Sequence, residues 1–180
     1  MVYISIAPAS LREHVPNPHL VNMPIRIVRL GTPRIPNEGT RLGTVRRPPR
    51  GVRREQFATR DYYDVWVPDL AASGPVVSWA LSEPWTDARW TKYTKLYLRE
   101  MAKPVPRRLI AMLAAMSATS NFSVGCYCAD ETRCHRTLLR QLLVDAGAVM
   151  VAESDDAAPT IEQRAEQRVA PHARKHRSRE

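Results

Sequence analysis

The 180-residue sequence is poor in glycine, with seven, in cysteine, with three, and in phenylalanine, with two. Seven scattered glycines form neither a phosphate loop nor a dinucleotide fingerprint, which need glycines at fixed spacing to bring backbone N–H groups up to a phosphate. No Ser-His-Asp arrangement stands in for them. Three cysteines, two of them one residue apart, do not make a disulfide framework, and they point to a reducing, cytoplasmic compartment. No window approaches the roughly 20 apolar residues of a membrane span, so no membrane partner is expected. The opening residues, MVYISIAPASLREH, lack the charged start and long apolar core of a secretory signal. Internal repeats, a helix-turn-helix, a zinc finger and an RNA-stacking signature are also missing.

What the chain does have is arginine. Its formal net charge is +9. From Glu153 onward six acids match six basic residues, so the excess sits in the body of the chain. Between Arg26 and Arg60 ten arginines face two acids, Glu38 and Glu55. Such a cluster suits an anionic partner, and arginine favours bidentate contact with phosphate or carboxylate. The plainer reading is a solvated basic face. With 44% hydrophobic residues, a chain of this length buries one good core.

Residues 1–24 read as an irregular lead-in, with a strand at residues 2–6 and prolines at 8, 16, 18 and 24. Strands are expected over residues 25–30, 40–46 and 62–67, the last β-branched and aromatic and stopped by Pro68. Pro48 and Pro49 forbid continuation of a ladder, which leaves Arg46, Arg47 and Arg50 at or just past a strand's end, where open α/β sheets bind ligands. Short helical pattern covers residues 75–81. A stronger helix runs over residues 85–101, with Thr86 or Asp87 as cap and Pro104 beyond it. Its stripe of Trp90, Tyr93, Tyr97 and Met101 reads as core before it reads as a base-stacking platform. An Ala- and Leu-rich helix covers residues 106–116, with Pro106 in its first turn. A last strand is placed at residues 148–152, and residues 153–180 form a charged tail too poor in large apolar groups to order itself.

The most informative stretch is NFSVGCYCADETRCHRTLLRQLLVDAG, residues 121–147. Its apolar run at residues 122–128 reads as a buried strand. Asp130, Glu131 and Thr132 open a helix with Leu138, Leu139, Leu142, Leu143 and Ala146 at helical spacing, and Gly147 closes it. Cys134, His135 and Arg136 thus fall near a helix N-terminus, where N–H groups favour an anion. Three chemistries compete for them. Cys134 as a catalytic thiolate, with His135 beside it, makes a nucleophilic enzyme. Against this, Cys134 reads equally as packing and His135 as a core-edge histidine, since helix neighbours in sequence do not face each other. Metal is expected to be absent, because C-x-C-x5-C-H is not a standard zinc spacing. Were a metal held, Cys126, Cys128, Cys134 and His135 would hold it. In the third reading Arg46 and Arg50 converge with Arg136 on a phosphate group.

The motifs GTRLGTVRRPPRGV, DYYDVWVPDLAAS, W-x-x-Y-x-x-x-Y and CYCADETRCHRTLL resemble those of the domain of unknown function 488 (DUF488) family over residues 25–147. The resemblance implies an α/β sandwich. It sets Arg46, Arg50 and Gly51 in the family's basic turn, and Cys126, Cys134, His135 and Arg136 in its cysteine-led motif. Val45 and Cys128 stand where the family carries acids, so any base chemistry of those carboxylates is lost. The expected protein is therefore a single α/β domain, residues 25–152, with a small, mostly parallel sheet flanked by helices. Its expected function is to accept a phosphate-bearing small molecule or nucleotide, without a cofactor. The alternatives are binding of a nucleic-acid backbone and cysteine-nucleophile catalysis.

Overall fold

The computed structural model describes residues 25–151. The strand expected at residues 2–6 and the charged tail lie outside them. Within them the elements follow in the order β1 (Arg26–Arg29), β2 (Thr40–Gly43), β3 (Val65–Trp66), α1 (Gly74–Ala80), α2 (Asp87–Met101), α3 (Pro104–Met116), β4 (Phe122–Cys126) and α4 (His135–Asp145). Short 3-10 turns occupy Arg54–Gln56 and Pro68–Leu70. The four strands form one sheet in the order β1-β4-β2-β3, and every pairing is parallel. β4, the second-to-last element, is thus inserted between β1 and β2. This explains its continuous burial, since a strand flanked on both sides and covered on both faces has no polar edge to show.

Each helix has a local reason for its limits. Thr86 caps α2 by accepting from the Arg89 N–H at 3.2 Å. Pro104 both ends the run that contains α2 and occupies the first turn of α3, where its missing N–H is harmless. The third helix therefore begins two residues before the expected Pro106. Gly147, with φ of 86°, closes α4: its N–H bonds the Val144 carbonyl and the Ala148 N–H bonds the Leu143 carbonyl, the reciprocal pair of a Schellman cap. The strand expected at residues 148–152 shrinks to one parallel bridge between Ile25 and Met150. β3 shrinks to two residues, because Pro68 follows and no strand lies beyond it.

The helices gather on one face of the sheet. Ile27, Leu42 and Val124 stand in register across three strands and bury against Tyr93, Tyr97, Ile110, Leu113, Leu139 and Leu143. The aromatic stripe of α2 is core: Tyr93 stacks on Tyr97, and Trp85 meets Trp90 and Tyr93 edge-on. The Tyr97 hydroxyl donates to the Leu70 carbonyl at 2.9 Å, so its burial leaves no polar group unmet.

The opposite face is covered by the segments around residues 30–39 and 54–63. Close approach there depends on Gly125, where a Cβ would lie 2.5 Å from Leu30 Cδ2. Beside it runs a buried ionic knot. Arg41, fully buried in β2, donates through Nε to Glu38 Oε1 at 2.6 Å and through Nη2 to Oε2 at 2.7 Å. Its Nη1 donates to the carbonyls of Thr32 and Asp61, and Ser123 donates to Glu38 at 2.6 Å. Two of the charges counted in the basic cluster are thereby paired, one in the interior and one at the surface. Arg41 is neutralised by Glu38, and Arg34 makes a two-pronged pair with Asp64.

Candidate functional site

Because all four strands run the same way, their C-terminal ends meet at one edge, and both motifs singled out from sequence arrive there. β2 runs on through Thr44 and Val45 into Arg46-Arg47-Pro48-Pro49-Arg50. β4 ends at Cys126 and continues through Tyr127 and Cys128 toward α4. Between them opens a cavity of about 510 Å³, within the range of small-molecule sites. Arg47, Pro48 and Arg50 form its exposed rim, with Arg133 half-buried on the side of α4. Tyr62 and Tyr127 contribute aromatic wall on one side, Trp85 and Tyr93 on the other, and Cys126, Cys134 and His135 are its buried depth.

The approach to α4 is built from short polar bonds. Asp130 Oδ1 accepts from the Thr132 N–H at 2.9 Å and from its hydroxyl at 2.7 Å. The Thr137 hydroxyl donates to the Glu131 carbonyl. Helical geometry therefore starts later than expected from the acids at 130 and 131. Cys134 is the N-cap, with extended φ and ψ, and makes no side-chain cap bond. Its thiol instead lies against the end of β4.

There Cys126 and Cys128 place their sulfurs 3.6 Å apart. Cys126 Sγ, Cys134 Sγ and a ring nitrogen of His135 all lie within 4.8 Å of one another. The three thiols share charge unevenly. Hydrogen bonding from Cys128 and Cys134, with the Arg136 charge nearby, pulls the Cys126 thiol well below the usual thiol range. The same contacts, with burial, push Cys134 far up, and contact with Cys126 pushes Cys128 up. The three sulfurs titrate as a unit, and the contacts among them favour a single negative charge shared within the cluster. His135 is buried, and burial lowers its pKa toward the neutral ring. Its Nε2 lies 2.6 Å from the Thr44 carbonyl. A carbonyl only accepts, so Nε2 carries the proton and Nδ1 keeps a lone pair. His135 shares the buried stripe of Leu139 and Leu143, as its helical position implied.

The three arginines named from sequence separate. Arg50 is exposed at the rim. Arg46 lines the cavity, but its Nε and Nη2 donate to the carbonyls of Ala72 and Ala71, each at 2.9 Å. Arg136 is buried and does not line the cavity. Its Nη1 donates to the Cys128 carbonyl at 3.0 Å, and its Nη2 reaches Glu131 at 3.4 Å. Arg47, placed at the strand's end from sequence, also lines the cavity, and so does Arg133, which was not singled out. Arg47 follows Arg46 in the basic turn. Arg133 precedes Cys134, and its Nη2 pairs with Asp87 at 2.7 Å while its buried Nη1 has no hydrogen-bond partner. The RCHR run set Arg133 two residues ahead of α4 in the sequence, but its pairing with Asp87 at the start of α2 depends on the fold.

No helix among the described residues is long and apolar enough to cross a membrane. No curated protein and no solved structure is detectably similar to the chain. A family model described as the active DUF488-N3 subclade matches residues 25–147, the span from β1 to the cap of α4 that contains every residue of the cavity. The chain belongs to the DUF488 family.

Proposed function

We propose that the cavity at the C-terminal edge of the sheet binds a phosphate-bearing small molecule of nucleotide size. The observation that carries this reading is the unmet donor of Arg133. Its Nη1 is buried without a hydrogen-bond partner, on a side chain that lines the cavity, and a buried donor left unpaired is costly unless a ligand satisfies it. Arg47 and Arg50 add two exposed guanidinium groups at the same mouth, and guanidinium matches the planar geometry of phosphate oxygens. Tyr62 and Tyr127, in edge contact at 5.9 Å, supply an apolar flank suited to a flat ring. Arg46 and Arg136 act as positioning residues, holding the cavity's backbone at Ala71–Ala72 and at Cys128 through carbonyl bonds.

Binding of a nucleic-acid backbone is the competing reading. It predicts affinity that falls steeply with salt, through release of counterions, and no single saturable site for a mononucleotide.

The test is thermal unfolding of the parent protein against a panel of nucleoside phosphates, sugar phosphates and the corresponding nucleosides. Phosphate-bearing ligands should raise the midpoint, and the unphosphorylated ones should do so much less. Arg133→Ala and Arg50→Ala should keep the parent's unfolding midpoint without ligand and lose most of the ligand-induced rise. A parent protein that no member of the panel stabilises contradicts the proposal.

A further inference from the structure

The spacing of the cysteines in sequence spoke against a metal, but their placement in space speaks for one. We propose that Cys126, Cys134 and His135 form a three-ligand site for one zinc-like divalent cation, with the fourth coordination position open to the cavity. The three donors come from two elements, the end of β4 and the start of α4, so a sequence interval says little about their separation. In the fold their ligand atoms lie within 4.8 Å of one another. A cation at about 2.3 Å from sulfur and about 2.0–2.1 Å from nitrogen requires donors somewhat under 4 Å apart, so it closes the site with shifts of about an ångström.

Three further features suit a cation. The His135 hydrogen bond leaves a ligating nitrogen: with Nε2–H committed to the Thr44 carbonyl, Nδ1 keeps the ring's lone pair. Such a carbonyl contact to the distal ring nitrogen commonly orients metal-bound histidines. Two thiolates and a divalent cation are together neutral, which makes the pair tolerable at sites only 6% and 1% exposed. The donor set itself, two sulfurs and an imidazole, selects zinc and other borderline-soft ions over magnesium or calcium. All three residues line the cavity, which leaves the fourth position to water or to a ligand oxygen. Cys128 lines the cavity too, but it is exposed and lies outside the three-residue cluster. It is assigned no coordinating role.

The inference goes beyond anion binding and is read by a different signal. The experiment is titration of the full, reduced chain, stripped of metal with a chelator, with Co²⁺ and then Zn²⁺ under absorption spectroscopy. The expected result is one cobalt per chain with thiolate-to-metal charge transfer and the intense visible bands of a tetrahedral site, both abolished by one equivalent of Zn²⁺. Cys128→Ser should keep both signals. Cys126→Ser should lose the charge transfer while circular dichroism reports the fold retained. If Cys126→Ser does not fold, the parent and Cys128→Ser titrations still decide. No stoichiometric, thiolate-ligated cobalt in the folded parent overturns the site, and loss of cobalt in Cys128→Ser overturns the open fourth position.

Discussion

At the residue scale the arginines do different jobs. Arg41 is structural: four of its hydrogen bonds go to Glu38, Thr32 and Asp61 in the protein interior. Removing it strands the Glu38 carboxylate, and breaking a buried pair in this way costs about 3–5 kcal/mol. Arg41→Ala is therefore expected to lower stability by that order in denaturant unfolding, while Arg50→Ala changes it by about 0–1 kcal/mol because its charge is solvated. The same knot sets an acid limit. Burial alone would raise the Glu38 pKa, but hydrogen bonds from Arg41 and Ser123 outweigh it and hold the group below its ordinary value. Asp64 behaves likewise under Arg34 and the Arg41 N–H. A carboxylate with a lowered folded pKa binds fewer protons folded than unfolded. Its stabilisation is therefore full above the unfolded value of about 4 and drains away as pH falls through the folded one. Denaturant midpoints should decline as pH falls below about 5, and Glu38→Gln should flatten part of that decline from a lower starting stability. An unchanged slope in that variant would remove Glu38 from the account.

At the element scale α4 carries the argument, since one helix presents both core and site. Its buried face is His135, Arg136, Leu139 and Leu143, whereas Leu138 and Leu142 are only partly covered. Periodicity in the sequence found the helix and its apolar side but could not choose between 138/142 and 139/143, because four leucines in two adjacent pairs fit either stripe. Neighbouring helices α2 and α3 and strand β4 make the choice. Leu143→Ala should accordingly lose about 2–5 kcal/mol through a cavity, and Leu142→Ala distinctly less. Equal losses in thermal unfolding would show the face is misassigned. Gly147→Ala forces a Cβ into the left-handed region and should lose about 1–2 kcal/mol.

For the whole molecule, a small parallel sheet with helices was legible because strands, proline stops and caps each have local signatures. Strand order was not, because inserting β4 between β1 and β2 depends on contacts across nearly the whole described chain. Partners of individual charges were equally hidden. Glu38 and Arg41 are three residues apart and look like ordinary surface residues until Ser123, 85 residues beyond Glu38 in the chain, closes over them. The cavity shows the same limit. Composition and motif brought Arg46, Arg50, Cys126, Cys128, Cys134 and His135 into view. Only the fold distinguishes an arginine that holds a carbonyl, such as Arg46, from one with a donor to spare, such as Arg133.

That distinction is also where the account is most directly tested, by calorimetric titration of one nucleoside phosphate into the parent protein and into Arg133→Ala at two salt concentrations. The parent should bind one equivalent, with only a modest loss of affinity at the higher salt. Arg133→Ala, folded as the parent is, should bind about tenfold to a hundredfold more weakly, the loss expected for a charge-assisted hydrogen bond of about 1.5–3 kcal/mol. Equal affinity in the two proteins, or no saturable binding in the parent, would contradict the assignment of this cavity as a phosphate-ligand site.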